Sequence, residues 1–329
     1  MKVLLVYNTR SSFVLRDLDI LQTAHTTRDV YLRPRSGRDY GRLLRGVAWA
    51  DVVFCWFAGI HAFLSLVPAK ALGKKAIVVT GGYDVASEPR FGYGSMRGGP
   101  RRILGRLTLR MADRIAAVSQ FNAREAIVNG GASPDKVEVI YHGFDPARFG
   151  AVPTAKERMA LTVGGLDAIT LWRKGLTLFV QAASYLPDVP FILAGGWQDG
   201  SVELLRRRAP PNVSIVGRLE QPRLVDYLNR AKAYVQASGH EAFGLSLAEA
   251  MLCRCLPVVT RAGAIPEVVG DTGVYISESQ PAILAEAIRQ ALDAPEVLGE
   301  KGRERIAQQF PLSARRERLL SMIEEVRAA

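Results

Sequence analysis

The protein has 329 residues, 48% of them hydrophobic and 23% charged, so the composition excludes a disordered chain. Because a single hydrophobic core usually stops growing below this length, we expect two folded domains. The formal net charge of +11 divides unevenly, with +10 on residues 1–152 and +1 on the remainder. This asymmetry is typical of a half that meets an anionic surface or substrate, and equally of a coding bias towards arginine.

The cysteines and the apolar runs exclude further classes of protein. Cys55, Cys253 and Cys255 are too few for a disulfide framework, and no Cys/His cluster has zinc-site spacing. This cysteine usage predicts a cytoplasmic protein. The apolar stretch 52–68 is shorter than the ~20 residues that cross a bilayer, and the N-terminal run is too short for a signal-peptide core, so we expect neither an anchor nor a secretion signal.

Short apolar, β-rich runs alternate with segments of helical period along the chain. In chain order the predicted strands are Val3–Tyr7, Val52–Trp56, Ala76–Thr80, Arg114–Val118, Val137–Tyr141, Ala160–Val163, Phe191–Ala194, Val213–Val216, Ala233–Gln236 and Leu256–Thr260. This alternation is typical of parallel sheets covered by helices. The Gly- and Pro-rich stretch 142–153 follows neither period, and it predicts a connection between two α/β domains, 1–150 and 151–310.

A basic amphipathic helix is predicted in the segment 97–114. Arg102, Arg106 and Arg110 recur at four-residue steps, with apolar residues between them. Such a pattern is typical of a solvated face above a packed stripe, and equally of a helix that contacts an anionic membrane surface or a lipid phosphate. The sequence leaves both interpretations open.

The segment 240–251 combines two carboxylates with the beginning of a helix. Glu241 precedes the helix, Glu249 follows eight positions later, and the small Gly244 and Ser246 stand at the helix start. The unpaired N–H groups of a helix N-terminus can hold a diphosphate, while carboxylates accept hydrogen bonds from sugar or ribose hydroxyls. The spacing alone favours a simpler interpretation, a capped helix with two exposed acids.

The residues around these glutamates resemble the E-x7-E signature of the retaining GT-B glycosyltransferases of group 1 (family 4). Similar pieces occur at 119–121, 142–145, 162–165, 173–175 and 256–269, and the resemblance is strong in the C-terminal half and looser before residue 80. It implies an α/β fold of two facing Rossmann-like domains with the active site in the interdomain cleft. The domain 1–150 would bind the acceptor, 151–310 the nucleotide sugar, and the helix in 311–329 would pack back on the first domain.

The resemblance also implies roles for particular residues. Arg173 and Lys174 fall where the family places cations against the donor diphosphate, a leaving group that needs positive charge. Members usually carry an Arg directly after the strand-ending glycine, where this chain has Gly165, so either Arg173 replaces it or Lys174 acts alone. The predicted catalytic residues are Glu241, Lys174, Arg173 and Asp84, and the predicted donor-binding residues are Glu249, Phe243, Gly244, Leu245, Ser246, Gly164, Gly165, Arg218 and His240.

Asp84 follows a predicted strand and two glycines. Many family members carry a His in this loop that contacts the sugar or the phosphate, so Asp84 is expected to orient the acceptor hydroxyl or the donor sugar. A turn-forming Asp after two glycines is the alternative. Asp17 and Asp19 match a metal-binding D-x-D pattern, but acids two positions apart on a helix diverge and cannot share an ion.

The implied activity is the transfer of a hexose from a nucleotide-diphosphate sugar to a hydroxyl of a glycan or lipid-linked acceptor, with retention of configuration and without a metal or other cofactor. The protein would be cytoplasmic and able to attach to the inner face of an anionic membrane. The alternatives are another GT-B enzyme, such as a nucleotide-sugar epimerase or a phosphorylase, and a catalytically silent basic protein that binds membranes. Nucleic acid is the other partner that such a silent protein would bind. The presence of both glutamates with Lys174 argues against this whole class, and nucleic acid is not a favoured partner.

Overall fold

A computed structural model describes residues 1–33, 37–149, 155–197 and 199–328. The chain divides into two compact units, one formed by 1–143 with 312–329 and the other by 144–311. The sequence places the domain boundary at 150, a few residues after this division. Each unit is a parallel six-stranded sheet with helices, so the prediction of two Rossmann-like α/β domains is confirmed.

The N-terminal unit alternates strands and helices from its first residues. Its elements are β1 (Lys2–Tyr7), α1 (Ser12–Gln22), β2 (Thr26–Tyr31), α2 (Gly37–Trp49), β3 (Val52–Trp56), α3 (Ile60–Ala71), β4 (Lys75–Thr80), α4 (Gly99–Met111), β5 (Arg114–Ala117), α5 (Gln120–Val128) and β6 (Val137–Val139). The strand order is β2-β1-β3-β4-β5-β6. Buried residues of α2, α3, α4 and α5 share one hydrophobic cluster with alternate residues of the strands, so these four helices cover the same face of the sheet.

The C-terminal unit repeats this plan. Its elements are β7 (Glu157–Val163), α6 (Ala168–Arg173), α7 (Leu176–Ala182), β8 (Phe191–Ala194), α8 (Ser201–Arg208), β9 (Val213–Gly217), α9 (Gln221–Arg230), β10 (Ala231–Gln236), α10 (Leu245–Leu252), β11 (Leu256–Val259), α11 (Ile265–Val269), β12 (Val274–Tyr275), α12 (Pro281–Asp293) and α13 (Val297–Gln309). The strand order is β12-β11-β10-β7-β8-β9. The last helix, α14 (Leu312–Ala328), belongs to the N-terminal unit.

The sequence missed two strands, and both lie at a sheet edge. β2 reads Thr-Thr-Arg-Asp-Val-Tyr and pairs only with β1, so its polar side chains remain in contact with water. β12 has two residues and pairs only with β11. Edge strands are short or polar and lack the continuous apolar run of a strand that is buried on both faces.

The three cysteines are not paired in disulfide bonds. Cys55, Cys253 and Cys255 are buried free thiols, and burial raises the pKa of Cys55 and of Cys253 to about 12. Both thiols are therefore protonated and unreactive at neutral pH.

Across the residues that the structure describes, the helices are too short or too polar for any of them to span a bilayer.

A buried ion pair joins α14 to the first helix of the same unit. Arg315 donates from Nε and Nη2 to the two carboxylate oxygens of Asp17, each at 2.7 Å, and both side chains are at most 1% exposed. The Trp56 indole also donates to Asp17, at 3.0 Å. Arg315 Nη1 donates to the carbonyl oxygens of Ile140 and Tyr141, each at 2.9 Å. Asp17 is therefore a structural anion, while Asp19 on the same helix is exposed, and the two carboxylates do not converge on a shared site.

We expect Asp17→Ala to lower the free energy of unfolding by about 3–5 kcal/mol, because it leaves the Arg315 guanidinium buried without its counter-ion. Urea denaturation followed by circular dichroism measures the loss. Asp19→Ala is the matched control on the same helix and should change stability by no more than about 0.5 kcal/mol. Equal effects of the two substitutions would contradict a dominant role for the ion pair.

Candidate functional site

The candidate site lies at the carboxyl ends of β7 and β10 in the C-terminal unit. These strands are neighbours at the point where the chain order of the sheet reverses, with β8 and β9 on one side and β11 and β12 on the other. Open parallel sheets bind their ligands at this switch point, just beyond the strand ends. Gly164 and Gly165 follow β7, and the loop 237–244 follows β10 and leads into α10.

A chain of polar side chains leads from β10 to the Glu241 carboxylate. Gln236 Nε2 donates to Glu241 Oε2 at 2.7 Å, and the Ser238 hydroxyl lies 3.5 Å from the same oxygen. The Tyr234 hydroxyl is 3.2 Å from Gln236 Oε1 and 2.9 Å from Ser246 Oγ. Burial raises the pKa of Tyr234, so the phenol stays neutral and can donate. The network fixes one carboxylate oxygen of Glu241 and connects it to the first turn of α10.

Lys174 supplies positive charge beside this carboxylate. Its Nζ lies 3.8 Å from Glu241 Oε2, and the two side chains are 19% and 13% exposed. Gly164 makes room for the lysine, because a Cβ at Gly164 would lie 3.2 Å from Lys174 Cδ. The loop after β7 therefore runs directly alongside the lysine side chain. The site thus combines an anion and a cation in a largely buried setting, where charges interact more strongly than on an open surface.

Two glycines with positive φ allow neighbouring loops to close on the loop that carries Glu241. Gly263 has φ +60°, and a Cβ there would lie 2.2 Å from the Glu241 carbonyl oxygen. Ala264 N donates to that same oxygen at 2.8 Å. Gly175 has φ +65°, and a Cβ there would lie 2.2 Å from the Ala237 carbonyl oxygen. Only glycine fits at either position, which explains the glycine of the Arg-Lys-Gly run.

Arg173, which is predicted to contact the donor, makes hydrogen bonds within the protein. Its side chain is buried, and Nη1 donates to the His240 carbonyl oxygen at 3.0 Å. The Arg173 carbonyl oxygen accepts from Gly239 N at 2.7 Å. The guanidinium therefore holds the loop that presents Glu241. Of the two arrangements that the sequence allowed, this geometry favours the one in which Lys174 is the cation of the site.

Two further predicted donor-binding residues have buried side chains. His240 is 1% exposed. The Phe243 ring packs against Phe144 and Phe310, with ring centroids 6.1 and 5.3 Å apart, and is part of the core. The loop therefore turns both side chains into the protein, and donor binding by His240 and Phe243 stays a prediction that falls to their backbone.

The helix α10 begins at Leu245, directly after the loop that carries Glu241. Gly244 adopts φ +100° as its N-cap, and Leu245 and Ser246 form the first turn. Glu249 stands four residues after Leu245, about one turn into the helix, so the two residues share a side of α10. The second carboxylate therefore lies about one turn from the helix N-terminus, where the first N–H groups have no partner within the helix.

The loops after β8 and β9 lie at the same end of the sheet. A Cβ at Gly195 would overlap the Gly164 carbonyl oxygen at 1.7 Å, so the loops after β7 and β8 touch through glycines. Arg218 directly follows β9 and is exposed, and a Cβ at Gly196 would lie 3.6 Å from Arg218 Cβ. Arg218 is therefore accessible beside the glycine loops, as a contact to the nucleotide base requires.

Asp84, in the N-terminal unit, is a structural residue of its loop. It is 4% exposed, and its carboxylate accepts from the backbone N–H groups of Ala58, Gly81 and Gly82 at 2.9–3.0 Å. Burial raises the pKa of Asp84. These contacts favour the alternative, a turn-forming Asp that closes the loop after β4, and the contact with acceptor or donor stays a prediction.

The arginines of α4 do not form a single outward stripe. Arg110 is exposed, whereas Arg102 and Arg106 are half-buried and Arg106 Nε donates to the Asn129 carbonyl oxygen at 3.0 Å. The most exposed side of α4 carries Ile103, which the solvated-face interpretation would have buried. The exposed side of α4 therefore combines an arginine with an aliphatic residue, and contact with an anionic membrane surface stays a prediction.

Sequence reasoning missed the polar network of Tyr234, Gln236 and Ser238. A signal was present, because these residues stand at alternate positions in and just after a strand whose odd-numbered positions, 231, 233 and 235, are apolar. Alternate positions of a strand share one face, and three polar side chains on a buried face must find partners.

Comparisons with known proteins agree with this geometry. A family model described as "Glycosyltransferase Family 4" matches residues 11–148, and one described as "Glycosyl transferases group 1" matches residues 157–294, so that together they cover more than four fifths of the chain. Among solved structures, Anabaena HepE in complex with UDP has a TM-score of 0.81 at 16% identity, covering 99% of this chain and 100% of that one. Sucrose-phosphate synthase from Thermosynechococcus elongatus has a TM-score of 0.78 at 17% identity, covering 100% and 99%.

The alignments with curated relatives cover a smaller share of each chain than the structural matches do. The GPI3 subunit of phosphatidylinositol N-acetylglucosaminyltransferase from Saccharomyces cerevisiae is 28% identical over 199 residues, which are 56% of this chain and 44% of the relative. Alpha-maltose-1-phosphate synthase of Mycolicibacterium smegmatis is 27% identical over 255 residues, covering 68% and 66%. The chain thus spans less than half the length of the yeast relative.

The two Rossmann-like units and the structural matches define a protein of the GT-B class. The chain belongs to the group 1 glycosyltransferases of family 4.

We expect Gly263→Ala to lower the free energy of unfolding by more than about 1 kcal/mol, because φ +60° is strained for alanine and the added methyl meets the Glu241 carbonyl. Thermal unfolding measures the effect. Gly200→Ala is the control in the same unit, since nothing lies within 4 Å of a Cβ there and its φ is −72°. An unchanged melting temperature for Gly263→Ala would contradict the tight closure of this loop.

Proposed function

We propose that the protein transfers a hexose from a nucleotide-diphosphate sugar to a hydroxyl group of a glycan or lipid-linked acceptor, with retention of the anomeric configuration. The observation that carries the proposal is the Lys174–Glu241 pair, 3.8 Å apart, at the switch point of the C-terminal sheet. Family membership supports it, as do relatives named as an N-acetylglucosaminyltransferase and a maltose-1-phosphate synthase and the structures of HepE with UDP and with UDP-glucose.

Each residue of the site has a role in this proposal. The N–H groups of Leu245 and Ser246 bind the diphosphate at the start of α10, and Lys174 neutralises the charge that develops there as the anomeric bond breaks. Glu241 accepts hydrogen bonds from the sugar hydroxyls through the carboxylate oxygen that Gln236 leaves free.

The nucleoside part of the donor has its own contacts in the proposal. Glu249, one turn into α10, accepts from the ribose hydroxyls. The exposed Arg218 contacts the base beside the Gly195-Gly196 loop. The diphosphate then lies between these two groups and Lys174, across the carboxyl ends of the central strands.

The proposed mechanism is a front-face displacement. The bond between the anomeric carbon and the diphosphate oxygen breaks with its electron pair leaving on the phosphate, and the carbon passes through an oxocarbenium-like state. The acceptor oxygen bonds to the same face, and its proton passes to the departing phosphate. This route uses one carboxylate for binding and no second one for a covalent intermediate, unlike the double displacement of retaining glycosidases.

Substitutions at different residues of the site should affect either the affinity for the donor nucleotide or the rate of transfer. A thermal-shift screen of UDP-, GDP- and ADP-sugars selects the donor. Glu249→Ala is then expected to weaken binding of the free nucleoside diphosphate by about tenfold, through hydrogen bonds worth ~1–3 kcal/mol. Glu241→Ala and Lys174→Met should instead lower the rate of nucleoside diphosphate release from the donor, by roughly 100-fold for Lys174→Met.

Two exposed residues of α13 provide matched controls for these variants. Glu304→Ala and Lys301→Met remove the same charges away from the site and should change neither affinity nor rate. Unchanged nucleotide affinity in a folded Glu249→Ala protein would remove the ribose contact, and an unchanged rate in Lys174→Met would remove the proposed cation.

Metal independence is part of the proposal, since the Asp17 carboxylate of the D-x-D pattern forms an ion pair with the Arg315 guanidinium. Activity should persist in excess EDTA, measured as nucleoside diphosphate release. Loss on chelation with specific rescue by Mn²⁺ or Mg²⁺ would overturn this part and leave the donor contacts to be tested separately.

A further inference from the structure

The helices α2, α3, α4 and α5 present an outer surface with a single sign of charge. They contain two carboxylates, Asp39 and Glu125, and both are buried. Their nine basic residues are all exposed or half-exposed: Arg38, Arg42, Arg45, Lys70, Arg101, Arg102, Arg106, Arg110 and Arg124. Asp113, outside these helices, pairs with Lys70. Eight arginines therefore give the surface of α2–α5, named here the basic helical surface, its positive charge.

The opposite face of the same sheet provides an internal comparison. The helices α1 and α14, which are joined by the Asp17–Arg315 pair, together contain five basic and five acidic residues. A general preference for arginine in this chain would charge both helical layers alike. The excess is instead confined to one layer, so it follows the fold rather than the coding bias of the chain.

Exposed aliphatic side chains lie among these arginines. On α4, Ile103 is 61% exposed and shares one side of the helix with Leu107 and Arg110, at steps of four and three residues. On α3, which packs against α4, Ile60 and Val67 are exposed, and Leu44 on α2 is exposed as well. At the boundary between the headgroups and acyl chains of a bilayer, arginines contact the anionic headgroups and exposed aliphatic side chains contact the acyl chains. A cationic helical layer with aliphatic groups on its outer side suits this environment.

We propose that the basic helical surface binds a bilayer that contains anionic lipid, with α4 lying in the headgroup layer. A nucleic acid would also neutralise the arginines, but its phosphates and sugars offer nothing for Leu44, Ile60 and Ile103 to contact. Lipid accounts for both the charge and the apolar groups. The inference concerns the N-terminal unit alone and holds whether or not the proposed transfer reaction is correct.

Co-sedimentation of the full chain with vesicles tests the proposal. Vesicles of phosphatidylcholine with phosphatidylglycerol should bind the protein, and vesicles of phosphatidylcholine alone should not. Added salt should release it, since screening shortens the field of the surface to ~8 Å at physiological ionic strength. Arg42→Gln with Arg110→Gln should lower the partition coefficient by roughly 10- to 30-fold, because each basic residue near the surface contributes about fivefold. Ile60→Ser with Ile103→Ser should lower it severalfold.

Arg316→Gln with Arg327→Gln is the matched control, because it removes two exposed charges from α14 on the balanced face. It should leave vesicle binding unchanged, and circular dichroism should show every variant folded. Equal loss in this control would overturn the proposal by showing a response to net charge alone. The proposal also fails if neutral vesicles bind equally, if no vesicle binds, or if duplex DNA binds more tightly than vesicles and ignores the Ile substitutions.

Discussion

The C-terminal unit is arranged around a carboxylate that is largely withdrawn from water, that of Glu241. Removing a charged group from water costs several kcal/mol unless polar partners replace the solvent. Gln236 and Lys174 supply those partners from the ends of β10 and α6. The glycines at 175 and 263 are then required, because two loops must approach the Glu241 loop more closely than a side chain allows. The same arrangement leaves the start of α10 facing the carboxylate.

Much of the fold could be predicted because it is recorded locally in the sequence. The eight interior strands of the two sheets are largely apolar and were all predicted, as were the edge strands β6 and β9. β2 escaped because it is polar, and β12 because it has only two residues. For the candidate site, the motif placed Glu241, Lys174 and Gly164 in one region. It could not show that His240 and Phe243 turn inward, because burial depends on loops distant in sequence.

Asp17 and Arg173 show that the partners of a charged side chain also cannot be predicted from the local sequence. Asp17 meets Arg315 across 298 positions of the chain, and no local pattern reveals that partner. Arg173 lies beside Lys174 in sequence, yet its guanidinium is held by a backbone carbonyl while the lysine extends to Glu241. A formal charge in a motif therefore indicates a possible ligand contact, and its hydrogen-bond partners determine whether it is structural.

The discontinuous N-terminal unit has a consequence for how the protein is made. Residues 144–311 are contiguous, so the C-terminal unit can complete its sheet without any contribution from residues 312–329. The first unit is synthesised earlier but lacks α14, and until that helix emerges Asp17 has no guanidinium partner in the interior. The part of the protein that is translated first is therefore finished last.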